Sequence, residues 1–230
     1  MTAAAMSDLI HPRPASVLFD LDGTVIDSAP DLAGTANDMR RARGLEPAAF
    51  ESLRPWVGAG ARGMIGAAFG TAPGDARFDD LKDEFLERYA LRLLADTRVF
   101  DAMEAVLDAI QSRGVPWGIV TNKHARFTMP IVRGLGLDRR AAVVVCGDTT
   151  LHAKPHPAPL LEAARRVGVD ASLCVYIGDD RRDMQAARAA GMRAGVARWG
   201  YIEPADDVAT WGGDAMLDGP DDILKWLSLT

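Results

Sequence analysis

The chain has 230 residues, 48% hydrophobic and 25% charged, an ordinary globular composition that excludes a disordered or low-complexity protein. Twenty-six basic against 32 acidic residues leave a net charge of −6, the wrong sign for a protein that coats nucleic acid. No uncharged apolar run approaches the ~18 residues of a membrane span, and residues 1–16 lack the continuous apolar core of a secretory signal. A cytoplasmic protein with neither nucleic-acid nor membrane partners is expected. Its two cysteines, Cys146 and Cys174, lie in or beside apolar runs, as small buried thiols do in a reducing compartment.

In chain order, the first apolar run is 15–19, rich enough in Val, Leu and Phe to read as a strand buried on both faces. From 28 to 97 no strand pattern occurs. Leu32, Ala36 and Met39 keep helical spacing up to Gly44, a second helix with Met64, Ile65 and Ala68 follows the Gly58–Gly60 turn, and Leu81, Phe85, Leu86, Tyr89 and Leu93 mark a third. Beyond 97 the pattern alternates. Met103, Val106, Leu107 and Ile110 predict a helix, Trp117–Val120 a strand, Ile131 and Leu135 a helix, and 143–146 a strand. Leu160, Leu161, Ala164 and Val167 predict the next helix, before strands at 173–177 and, more weakly, 194–197. The expected fold is α/β, a doubly wound parallel sheet made of residues 1–27 and 98–230, with an all-helical domain, 28–97, inserted after the first strand. The Arg doublets at 40–41, 139–140, 165–166 and 181–182 are expected mostly at helix ends, solvated, and His124, His152 and His156 in loops.

Ligands of open α/β sheets bind past the carboxyl ends of the strands, and here every major strand runs into polar groups. Asp20-Leu21-Asp22-Gly23-Thr24 follows the first, Thr121-Asn122-Lys123 the second, a loop with Lys154-Pro155 the third, and Gly178-Asp179-Asp180 through Asp183 the fourth. Asp20, Asp22 and Asp179 in a small volume would repel one another unless a cation sat among them. An all-oxygen donor set without a Cys or His cluster points to Mg²⁺. A carboxylate can attack phosphorus, and a second one two residues on can move the protons. The Thr121 hydroxyl and Asn122 amide can hold phosphoryl oxygens while Lys154, aimed by the prolines after it, offsets their charge.

In order and spacing these four clusters resemble the motifs of the haloacid dehalogenase superfamily, from about residue 16 to the C-terminus. The resemblance implies that Asp20 is the nucleophile and Asp22 the acid/base, with Asp22 also lending its backbone carbonyl to Mg²⁺. It implies that Thr121 binds phosphate, Lys154 neutralises charge, Asp179 completes the metal site with Asp183 in support, and 28–97 is a helical cap that closes over the substrate. The dehalogenases and phosphonate hydrolases of the superfamily lack the second aspartate, so a phosphomonoesterase of small phosphate esters is the expected activity and a phosphosugar mutase the distant alternative.

Within the superfamily Phe19–Thr24, Asp27–Leu32, Val57–Ala61 and Val120–Lys123 are similar to the phosphoglycolate phosphatase group. Phe85–Tyr89, Trp117–Lys123, Gly200–Ile202 and Trp211-Gly212 resemble the N-acetylmuramic acid 6-phosphate phosphatases. The resemblance implies phosphoglycolate phosphatase as the expected activity and N-acetylmuramic acid 6-phosphate phosphatase as the alternative. Both act on phosphomonoesters that carry a carboxylate, so a cation is expected in or near the cap, and Arg62, beside the Gly58–Gly60 turn, is the first choice. A monomer or homodimer is expected.

Overall fold

The computed structural model describes residues 13–229, so the reading of 1–16 as free of a secretory signal falls mostly outside the described residues. Strand β1 (Ser16–Phe19) leads through the Asp20–Thr24 turn into β2 (Ile26–Asp27). Four helices follow: α1 (Ala29–Arg41), α2 (Phe50–Leu53), α3 (Gly60–Phe69) and α4 (Phe78–Ala90). A 3₁₀ turn, Arg54–Ala59, joins α2 to α3. The chain returns through β3 (Arg98–Val99), which pairs antiparallel with β2 by only Ile26 with Val99 and Asp27 with Arg98. The two linkers that join the inserted helices to the sheet are thus stitched together as a minimal ribbon.

The rest alternates as the apolar runs predict. It comprises α5 (Met103–Ser112), β4 (Trp117–Val120), α6 (Ala125–Gly134), β5 (Val143–Val145), α7 (Ala158–Val167), β6 (Cys174–Gly178), α8 (Arg181–Ala189) and β7 (Arg193–Ala197). A sixth strand of the main sheet, β8 (Ala215–Leu217), and α9 (Asp221–Trp226) complete it. Neither was expected. β8 has three residues and one of them, Met216, is 39% exposed, so it carries no apolar run to read. Leu161, assigned by spacing to the apolar face of α7, is exposed, whereas Leu160, Ala163 and Ala164 are buried.

All six strands run parallel in the order β5-β4-β1-β6-β7-β8. The chain therefore builds outward from β1 on one side, then crosses back and builds outward from β6 on the other. That reversal opens a crevice at the carboxyl ends of β1 and β6, where doubly wound sheets bind their ligands. Side chains alternate across the sheet. Val17 and Phe19 with Val175 and Ile177 face one apolar cluster, while Leu18 and Tyr176 face the other, under α7 and α8. The first cluster runs without a break into Met64, Ile65, Phe85 and Tyr89 of the inserted helices. Both cysteines are free and buried.

Candidate active site

The four polar clusters meet in the crevice. Asp20 follows β1, its backbone N–H held by the Ile177 carbonyl at 2.8 Å. Gly23, at φ +82°, turns the chain under the site; a Cβ there would lie 2.1 Å from Asp179 Oδ2, so only glycine fits. Asp179 directly follows β6, and Thr24 Oγ1 and the Tyr201 N–H donate to its two oxygens at 2.9 and 2.8 Å. Gly200 allows that approach, since a Cβ on it would meet Asp179 at 2.2 Å. Asp183 is fully buried in the first turn of α8, where it accepts the Asp180 N–H while Asp180 caps the helix by accepting from Arg182 N.

Lys154 is 5% exposed, and its ammonium lies 2.6 Å from Asp183 Oδ1, 3.0 Å from Asp20 Oδ1, 2.8 Å from the Tyr176 hydroxyl and 3.1 Å from the Val120 carbonyl. Its peptide bond to Pro155 is cis, within a turn. The Asn122 side chain clasps the Lys154 backbone with a pair of 2.9 Å hydrogen bonds. That amide is therefore occupied with fixing Lys154 and not turned toward a phosphate. Thr121 is buried, its hydroxyl accepting from Lys123 N at 3.1 Å.

Burial and crowding set the electrostatics. Burial, aided by the charges of Asp183 and Asp22 and opposed by Lys154, pushes the Asp20 carboxyl up to about 7. Burial, with Asp20 and Asp183 beside it, raises Asp179 well above the usual carboxylate range, against the pull of Tyr201 N and Thr24. Burial disfavours the Lys154 ammonium, but Asp183 and Asp20 more than compensate and hold it above its ordinary value. Asp20, Asp179 and Asp183 each offer an oxygen within 4.8 Å of the others. Lys154 approaches Asp20 Oδ1 to 3.0 Å as an ion pair, and no other donor among the described residues reaches this buried oxygen. An acidic trio balanced only in part by that lysine, with only hard oxygen donors, fits a Mg²⁺ ion. The Asp22 side chain stands apart from the trio.

Asp22 has partners the sequence did not suggest. Its Oδ1 accepts from Ser28 Oγ at 2.6 Å and from Lys123 Nζ at 2.8 Å, and Lys123 also donates to the Tyr89 hydroxyl at 2.7 Å. With its own hydroxyl drawn to Asp22, Ser28 does not cap α1. The Tyr201 hydroxyl does so instead, accepting from Ser28 N and Ala29 N at 2.8 and 3.0 Å. The Trp199–Tyr201 segment, which has no assigned role from sequence, thus braces both Asp179 and the start of α1. Only Lys123, lying inside the Thr121-Asn122-Lys123 cluster, carried a signal that could have marked it.

Above these groups is a cavity of about 400 Å³. Its floor is polar, and its walls include Leu32, Val57, Phe85, Leu86 and Phe127. Arg62 lies at its edge, exposed and without a side-chain hydrogen bond among the described residues. Arg182, expected as a solvated helix-end residue, lies in the first turn of α8 but is half-buried, pairing with Asp180 and donating to the Gly58 carbonyl at 2.7 Å. His124, His152 and His156 are in loops as expected.

The sequence profile of the haloacid dehalogenase-like hydrolases matches residues 17–197. The chain is 42% identical to an N-acetylmuramic acid 6-phosphate phosphatase of Pseudomonas aeruginosa over 94% of this chain and 95% of that one. It is 46% identical to a phosphoglycolate phosphatase of Xanthomonas campestris pv. campestris over 92% and 96%. A crystal structure of a predicted phosphoglycolate phosphatase from Haemophilus somnus superposes with a TM-score of 0.80 at 27% identity, covering 92% of this chain and 97% of that one. The chain belongs to the haloacid dehalogenase-like hydrolase family.

Proposed function

We propose that the protein is a Mg²⁺-dependent phosphomonoesterase that works through a phosphoaspartate on Asp20, acting on a small phosphate ester that carries a carboxylate. The observation that carries this reading is the convergence of Asp20, Asp179 and Asp183 around Lys154, with Asp22 close by but held separately. Asp20 attacks phosphorus as the ester oxygen departs, and Asp22 supplies that oxygen with a proton. Water then attacks the phosphoaspartate, gives its proton to Asp22 and frees Asp20 with release of inorganic phosphate. Bound Mg²⁺, held by Asp20, Asp179, Asp183 and the Asp22 carbonyl, would offset the negative charge shared by nucleophile and phosphate. Lys154 adds to that offset, and Thr121 orients the phosphoryl oxygens. Residues 28–97 act as the cap that keeps bulk water away.

The relatives offer two substrates. A two-carbon phosphoglycolate would leave most of a 400 Å³ cavity empty, whereas N-acetylmuramic acid 6-phosphate has a sugar ring to lay against Leu32, Phe85 and Phe127. The cavity therefore favours the sugar phosphate, with Arg62 free to meet its carboxylate. The test is kcat/KM with Mg²⁺ on both compounds and on p-nitrophenyl phosphate, with Asp20→Asn as control. The expected result is at least a hundredfold preference for the sugar phosphate, about 2.7 kcal/mol in transition-state binding. In the same assay Arg62→Ala is expected to raise KM for carboxylated substrates about tenfold more than for p-nitrophenyl phosphate. A preference for phosphoglycolate would reverse the substrate assignment, and equal effects of Arg62→Ala on all substrates would remove its role.

A further inference from the structure

We infer that Lys123 is a positioning residue for the second half of the reaction, aiming Asp22 at the attacking water and linking that aim to the inserted helices through Tyr89. The inference rests on the phosphoaspartate reading above and adds a residue to it. Oδ1 of Asp22 is fixed by two donors, Lys123 Nζ at 2.8 Å and Ser28 Oγ at 2.6 Å, while no bond from the described residues engages Oδ2. A carboxylate with one oxygen anchored and the other free has a defined direction in which to accept a proton. Lys123 in turn is anchored from the other side of the cavity. Its ammonium donates to the Tyr89 hydroxyl at 2.7 Å and lies 4.8 Å from that ring's centre, and Tyr89, on α4, is itself 2% exposed among Phe85 and Phe127.

The consequence for the chemistry is specific. When the Asp20–phosphorus bond breaks, the attacking water gives its proton to Asp22, and the anchoring of Oδ1 by Lys123 and Ser28 leaves Oδ2 as the oxygen that receives it. That anchoring by Lys123 therefore bears on hydrolysis of the phosphoaspartate. Loading of Asp20 from p-nitrophenyl phosphate makes little demand on it, since p-nitrophenolate leaves without being protonated. Because Tyr89 belongs to the inserted helices, Asp22 is fully aimed only when α4 is seated over the cavity.

The experiment uses the full chain with Mg²⁺ and p-nitrophenyl phosphate, and compares wild type with Lys123→Met and Tyr89→Phe by steady-state kinetics and acid quench. Lys123→Met is expected to lower kcat about a hundredfold, leave kcat/KM within about threefold, and raise the steady-state fraction of phosphorylated protein. Tyr89→Phe, which keeps the ring and its packing, is expected to give the same signature at about tenfold and to carry the test should Lys123→Met not fold. Parallel losses of kcat and kcat/KM without accumulation of phosphoprotein would overturn the inference while leaving the phosphatase reading intact. A wild-type protein that hydrolyses none of the phosphate esters would overturn both.

Discussion

At the scale of residues, the site is a crowd of like charges held together by one buried lysine. Asp20 is pushed up to about 7 and Asp179 well above the usual carboxylate range, both by burial and by the charges beside them. A carboxylate whose folded value lies above its unfolded one costs the fold stability as it ionises, so stability present at acid pH is lost as pH rises through about 7. A divalent cation held by the ionised set would reverse that loss. The rise in Tm on adding Mg²⁺ is therefore expected to be small at pH 5.5 and larger at pH 8, measured by differential scanning fluorimetry. Equal rises at both would contradict this account of the trio. Much of the site was legible in the sequence, because Asp20, Thr121 and Asp179 each sit directly after a strand and Lys154 lies in the loop beyond β5. What was not legible arrives from far along the chain: Lys123 meets Asp22 across 101 positions, and Tyr201 meets Ser28 across 173. Asn122 was legible as a site residue but not its task, since its clasp on Lys154 exists only once β4 and the Lys154 loop are folded together.

At the scale of elements, long apolar runs were read correctly and short, half-exposed pieces were not. β1, β4, β5 and β6 are nearly or fully buried along their length and announce themselves, whereas β8 and the two-residue strands β2 and β3 owe their existence to partners rather than to their own composition. The join between α1 and the returning chain shows how such weak pieces are fixed. Asp31, fully buried on α1, accepts from Thr97 N and Thr97 Oγ1 at 2.8 and 2.7 Å and from Asp96 N at 3.1 Å, with Arg92 Nε 3.3 Å away. Removing that carboxylate strands buried donors beside an arginine that loses one of its partners. Asp31→Ala is expected to lower unfolding stability by about 3 kcal/mol in urea titrations. A loss of less than about 0.5 kcal/mol would mean that the ribbon holds the two linkers without it.

At the scale of the whole molecule, the helices of 28–97 lie over the crevice on a two-pair ribbon, and the polar contacts that seat them converge on the chemistry. Arg54 donates to the Trp199 and Gly200 carbonyls at 2.9 and 3.0 Å and lies over the Tyr201 ring, whose backbone N–H holds Asp179. Arg182 reaches the Gly58 carbonyl, and Lys123 joins Tyr89 to Asp22. An insertion fastened at these points can register whether the crevice beneath it is filled, which suits a reaction that excludes water at first and admits one molecule later. The central claim is that the crevice transfers a phosphoryl group to Asp20. The most direct measurement is mass spectrometry of the protein quenched in acid during turnover with Mg²⁺ and p-nitrophenyl phosphate, followed by peptide mapping. The account predicts one added phosphoryl group on the peptide containing Asp20, absent from Asp20→Asn. Turnover without that adduct in any rapid-quench time point, or an adduct that survives in Asp20→Asn, would contradict it.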